Sequence, residues 1–126
     1  MKYETIHEAI LMGDVDDVDL HLQNGTDVNA WDYRGFTPLL WVMMVNKLNV
    51  VKYLVDKGAD VNARDKSNRT PLMWAAQGGH LDVVKYLAEK GADMNANKYG
   101  WSPRRLAADK GYLDVVEFLK QHGVTE

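Results

Sequence analysis

The stretch Gly58-Ala59-Asp60-Val61-Asn62-Ala63, followed by Thr70-Pro71-Leu72 and then by Leu81-Asp82-Val83-Val84-Lys85-Tyr86-Leu87, decides the fold because it occurs three times. Its first block also stands as Gly25-Thr26-Asp27-Val28-Asn29-Ala30 and as Gly91-Ala92-Asp93-Met94-Asn95-Ala96, at a spacing of 33 residues. The second block returns as Thr37-Pro38-Leu39 and Ser102-Pro103-Arg104. The third returns as Leu48-Asn49-Val50-Val51-Lys52-Tyr53-Leu54 and Leu113-Asp114-Val115-Val116-Glu117-Phe118-Leu119. A fixed period of this length marks a stack of like units, each too small to bury its apolar face alone.

Each block has a physical reading. Thr or Ser before Pro starts a helix: the hydroxyl accepts a free backbone N–H, and Pro at the first helical position gives up no hydrogen bond. First helices are therefore expected over 38–45, 71–77 and 103–110. Gly79 and Gly111 fall where the chain must turn with positive φ, and Asn46 takes that place in the first unit. Each second helix carries Leu, Val, Val and Leu on one face and ends at Gly58, Gly91 or Gly123. The Asp-x-Asn-Ala turns open short extended hairpins. Residues 1–24 read as a capping helix pair over 3–12 and 15–23, with an acidic cluster at Asp14, Asp16, Asp17 and Asp19. The last helix, near 113–121, presents Glu117, Lys120, Gln121 and His122 to solvent.

The motifs Asp-Val-Asn-Ala, Thr-Pro-Leu, Ala75-Ala76 and Gly79-His80-Leu81 resemble those of ankyrin repeats, and the resemblance runs along the whole chain. It implies an all-α solenoid of helix pairs with short hairpin turns, whose first helices and hairpin tips line a concave face that holds protein partners. The expected layout is one domain: a cap at 1–24, repeats at 25–57 and 58–90, and a third repeat with the C-terminal cap at 91–126. The departures are local. Leu40, Met73 and Arg105 stand where the family has His after Thr-Pro-Leu, and Met43 replaces a small Ala. Either its neighbours adjust to the added bulk or its side chain turns into the groove. Gly91 to Pro103 is 12 residues where Gly58 to Pro71 is 13, so the tip at 97–101 must be tighter or tilted. Arg104 replaces a core-facing Leu and is expected to loosen that helix start or turn outward.

The positions that vary in the family are apolar here. Trp31, Tyr33, Arg34, Phe36, Met44 and Val45 fill them in repeat one, and Tyr99, Trp101, Arg104 and Arg105 in repeat three. Repeat two is milder, with Arg64, Lys66, Ser67, Arg69 and Gln77. Trp41 and Trp74 sit one turn into their helices, either as core or as an edge of the groove. Trp, Tyr, Met and Arg are the residues enriched at binding hot spots. The expected function is protein binding through Trp31, Tyr33, Phe36, Met43, Met44 and Trp101, with Arg34, Arg69, Arg104 and Arg105 making polar contacts. A regular frame with altered tips and no cysteine fits an engineered binder. A natural cytosolic adaptor and a self-associating structural protein are the alternatives, with a monomer favoured over a homodimer.

Little else in the chain suggests chemistry. Net charge is −3, from 15 basic and 18 acidic residues, which disfavours nucleic acid and anionic membrane as partners. No cysteine is present, which removes disulfides, Cys-ligated zinc and thiol nucleophiles. His7, His21, His80 and His122 lack metal-ligand spacing, so no metal or cofactor is expected. His80 reads as a turn residue with a structural hydrogen bond, and His7 and His21 as surface residues of the cap. Asp27, Asp60 and Asp93 belong to turns rather than to an acid–base pair, so an enzyme is not expected. The N-terminus has no apolar signal segment, pointing to a cytoplasmic protein. Asn62 and Asn95 follow Leu54 and Leu87 by eight residues, a context that resembles that of hydroxylated ankyrin asparagines, although turn chemistry already accounts for both.

Overall fold

The computed structural model describes residues 1–32 and 34–122, so Tyr33 and Gly123 lie outside the described residues. Eight helices are found among the described residues: α1 (Ile6–Leu11), α2 (Val15–Gln23), α3 (Pro38–Val42), α4 (Leu48–Asp56), α5 (Pro71–Gly78), α6 (Leu81–Glu89), α7 (Pro103–Lys110) and α8 (Leu113–Gln121). Consecutive helices pair, and the pairs stack. α1, α3, α5 and α7 form one layer, and α2, α4, α6 and α8 the other. The core lies between the layers. Leu39, Val42, Leu72, Ala75 and Ala107 meet Val51, Leu54, Val84, Leu87 and Leu119 there.

The Thr-Pro and Ser-Pro starts form as expected. Thr37, Thr70 and Ser102 accept the backbone N–H of Leu40, Met73 and Arg105 at 3.3, 3.3 and 3.2 Å. Their helices end differently. α7 closes at Lys110 and α5 at Gly78, but α3 stops at Val42, three residues before the expected end. Met44 and Val45 then bond back to Trp41 and Val42, an i→i−3 pattern that tightens the final turn. Met43 lies at this break. Its bulk is taken inward where repeat two has Ala76, and it is 4% exposed. The turn after α3 survives because Asn46 adopts φ 50°, matching Gly79 at 72°.

Neighbouring repeats are latched by asparagine. The Asn29 amide donates to Gly58 O at 3.0 Å and accepts the Asp60 N–H at 2.8 Å; Asn62 does the same to Gly91 and Asp93 at 3.2 and 2.8 Å. Both ends of each amide are thus used between units, beyond the local turn role that the sequence suggests.

The cap departs from expectation. α1 begins at Ile6, where Thr5 caps it, because residues 2 and 3 are held elsewhere. Asp17 accepts the backbone N–H groups of Lys2 and Tyr3 at 2.6 and 3.1 Å, and His21 Nε2 meets Tyr3 O at 2.9 Å. Asp17 and His21 are both buried, 3.3 Å apart, so His21 is not the surface residue its place on the cap suggested. His80 precedes α6 without a side-chain capping bond; its imidazole packs over Gly78, and among the described residues the expected hydrogen bond is not found.

Candidate functional site

The tryptophans of the first helices are positioned by the loops before them. Asp65 is buried at the mouth of its loop. Its Oδ1 accepts the backbone N–H of Ser67 and Arg69 at 2.8 and 3.0 Å, and its Oδ2 accepts the indole Nε1–H of Trp74 at 3.0 Å. Asp32 repeats the arrangement with Arg34 N, Phe36 N and Trp41 Nε1 at 2.8, 2.9 and 2.6 Å. One carboxylate therefore fixes both a hairpin and an indole. Burial pushes the Asp32 carboxyl up, but the hydrogen bonds from Phe36, Trp41 and Arg34, with His7 nearby, outweigh it and hold the group below its ordinary value.

Trp41 and Trp74 are half-buried, each with one side on the core and the other under an arginine. The Arg34 and Arg69 guanidinium carbons stand 4.8 and 4.1 Å from the two ring centroids. Phe36 wedges between the tryptophans, edge-on to both at 6.1 and 6.3 Å. His7 adds a fourth ring, 5.0 Å from Trp41. Burial pushes its pKa down; Asp32 opposes this and Arg34 reinforces it. A row of rings thus crosses the cap and the first two repeats, with arginines on its open side.

Repeat three is built differently. Lys98 stands where the other loops have aspartate, and Leu106 where the other helices have tryptophan. The loop is one residue shorter. Lys98 and Trp101 exchange backbone hydrogen bonds of 3.1 and 2.9 Å across Tyr99 and Gly100, which have φ 51° and 83°. Positive φ at both central residues is the mark of a type I′ hairpin, so the tip is tighter, one of the two outcomes the sequence allowed. That turn thrusts Tyr99 out to 90% exposure. Trp101 is 39% exposed with the Arg105 guanidinium 4.7 Å over its ring, and Arg104 is half-buried where Leu39 and Leu72 are fully buried.

An open cleft of about 320 Å³ lies between repeats two and three. Met73, Leu106 and Trp101 supply its apolar lining. Arg69, Gln77, Lys98, Tyr99, Asp109 and Lys110 surround them. The structure therefore gathers Arg69, Tyr99 and Trp101 at one place and leaves Trp31, 58% exposed, at the tip of repeat one. Met44 is exposed and Val45 half-buried at the end of α3. Met43 is corrected from a surface anchor to a core residue, since the last turn of α3 directs it inward. The cleft residues Lys98, Leu106, Asp109 and Lys110 escape the sequence reading. Aligning repeat three with a one-residue gap would have placed Lys98 and Leu106 against Asp65 and Trp74.

Comparison with known proteins agrees with this architecture. A three-copy ankyrin-repeat family profile matches residues 6–98 and 65–125. The chain belongs to the ankyrin-repeat family. It is 36% identical over 53 residues to the human DNA-binding protein RFXANK, a match covering 41% of this chain and 20% of that protein. Acyl-CoA-binding domain-containing proteins 1 and 2 of Arabidopsis thaliana are 40% and 39% identical over 57 residues, 45% of this chain and 17% and 16% of theirs. The matched part of this ankyrin-repeat protein thus spans a fifth or less of each of those relatives. Ankyrin repeats are general protein-interaction modules. Among the described residues, no helix is long and apolar enough to cross a membrane, and no three His, Asp or Glu side chains converge on a point that could hold a metal ion.

Proposed function

We propose that this ankyrin-repeat domain holds a partner protein across its first-helix layer and hairpin tips. Trp31, Met44, Tyr99 and Trp101 are its exposed anchors, and Arg34, Arg69, Arg104 and Arg105 its polar contacts. Residues 1–24 act as the cap in this reading, and the units 25–57, 58–90 and 91–126 as the presenting repeats. The observation that carries it is the exposure of three large aromatic side chains at the tips, Trp31 at 58%, Tyr99 at 90% and Trp101 at 39%. A hairpin tip needs none of them for its own fold, and exposed apolar groups beside arginine are the composition of binding hot spots. The human relative's DNA-binding name is not carried over, because the match covers 20% of that protein and this chain has net charge −3.

A selection experiment tests the proposal while the partner is unidentified. Binders are selected from a displayed protein library against the full chain, then titrated against Trp31→Ala, Trp101→Ala and, as an outer-face control, Glu89→Ala. Truncating an anchor should cost about 2 kcal/mol or more, roughly a 30-fold loss of affinity. Binders that ignore both tryptophan changes and respond to Glu89→Ala would place the binding surface on the opposite layer.

A further inference from the structure

The net charge of −3 conceals a strong separation of charge. The cap, residues 1–24, holds one lysine against six carboxylates. The tips and first helices of repeats two and three, residues 64–77 and 97–110, hold seven lysines and arginines against two aspartates. One of these two is Asp65, buried and committed to Trp74 and its own loop. The cleft between repeats two and three lies within this basic region. Arg69, Lys98 and Lys110 stand around it, and Asp109 is its single carboxylate. No carboxylate pairs with Lys98 or Lys110 among the described residues.

From this juxtaposition we infer that the cleft takes an acidic segment of a partner protein, one large apolar side chain entering between Met73, Leu106 and Trp101 while flanking Asp or Glu carboxylates meet Lys98, Lys110 and Arg69. The inference rests on the protein-binding reading above and narrows it to a partner chemistry. The size fits: about 320 Å³ admits one or two large side chains and not a folded domain. The lining fits as well. An apolar floor with a cationic rim rewards a Leu or Phe beside carboxylates, since each part of such a segment meets its complement. A phosphate backbone fits less well, because it would leave the floor of Met73, Leu106 and Trp101 without an apolar group and would bring phosphates against Asp109. In repeat three a cation stands where repeats one and two carry the tip aspartate. Lys98 in that place gives up the lock on the next helix and puts a positive charge at the mouth of the cleft.

The test uses the full chain and two sets of labelled twelve-residue synthetic peptides, each with a central Leu or Phe. The flanks are Asp and Glu in one set and Asn and Gln in the other. The acidic set should bind at least tenfold more tightly at low salt, and the advantage should shrink as salt screens the charges. Lys98→Gln with Lys110→Gln should remove most of that advantage, leaving the share due to Arg69, and should leave neutral peptides unaffected. Leu106→Ala should weaken both sets. Amide shifts on peptide addition should centre on residues 69–77 and 98–110. Equal affinity for neutral and acidic peptides, with shifts still in the cleft, overturns the acidic preference and leaves the protein-binding face standing. Tighter binding of a short DNA or RNA strand than of any peptide overturns it in favour of nucleic acid. Binding of neither set, while library-selected proteins still need Trp31 and are unaffected by Leu106→Ala, removes the cleft from the binding surface.

Discussion

Replacing Asp65 by alanine should destabilise the protein by about 2–3 kcal/mol, and the structure says where that comes from. The carboxylate accepts three N–H groups, from Ser67, Arg69 and Trp74, at 2.8, 3.0 and 3.0 Å. A buried donor that loses its partner costs about 1–3 kcal/mol, while one that reaches water costs little. Ser67 is exposed, so its N–H finds water and adds a few tenths at most; Arg69 and Trp74 are half-buried and should contribute about 1 kcal/mol or slightly more each. The sum is a large share of the roughly 5–15 kcal/mol that holds a domain folded. Urea unfolding would read it as a midpoint lowered by about 1–2 M, for a slope of about 1–3 kcal/mol per M. Asp60→Ala is the matched control, because that exposed carboxylate accepts one backbone bond, from Asn62 at 2.9 Å. Asp65→Asn should fall between the two: its carbonyl oxygen can keep the loop bonds, but its amide group then faces the indole N–H. A loss for Asp65→Ala no larger than for Asp60→Ala would refute the reasoning, since it would mean that water replaces the carboxylate at all three donors.

Three further outcomes follow from the same geometry. Met43→Ala brings repeat one closer to the small residue of Ala76, yet it should destabilise by about 2 kcal/mol or more, because Met43 fills space within the core; a raised unfolding midpoint would show instead that Met43 overpacks. Tyr53 is pushed up from 10.0 to about 12 by burial first and then by its hydrogen bond to Asp19. The folded state then holds its proton more tightly, so this contribution is complete below pH 10 and is lost as pH rises towards about 12; tyrosinate absorbance should show a late-titrating group that Tyr53→Phe removes, beside the upward-shifted Tyr86 that the change leaves in place. For His7 the shift runs downward from 6.5, so its neutral form favours the fold above that pH and the benefit fades as pH falls through the lower folded value. An NMR titration should place the His7 midpoint below 6.5, and His7→Gln should flatten the stability slope on the acid side of that value.

How far the sequence could be read depended on how local the cause was. The helix starts at Pro38, Pro71 and Pro103 were legible because hydroxyl, proline and backbone N–H lie within four residues of one another. The turn at Asn46 was legible for the same reason: a positive φ is a property of one residue and its neighbours. The early end of α3 and the inward turn of Met43 were not legible, because whether a methionine finds room depends on side chains from other helices. The burial of His21 was not legible, because its partners, Asp17 and the Tyr3 carbonyl, come together through the return of the N-terminal stretch of chain rather than through any motif. The aspartate locks fall in between. Asp32 and Asp65 are nine residues before Trp41 and Trp74, a repeated spacing that is visible once it is known to matter.

By itself, the sequence determined the period, the helix pairs, the family and the residue types at the tips, since these rest on local hydrogen bonding and on an apolar pattern repeated every 33 residues. The tertiary structure alone decided which of the aromatic residues are available. It put Trp41 and Trp74 half under arginine, set Phe36 between them, buried Met43, and left Trp31, Tyr99 and Trp101 in solvent. It also created the cleft, which belongs to no single repeat. Its floor and rim come from residues about thirty positions apart, brought side by side only when α7 stacks on α5.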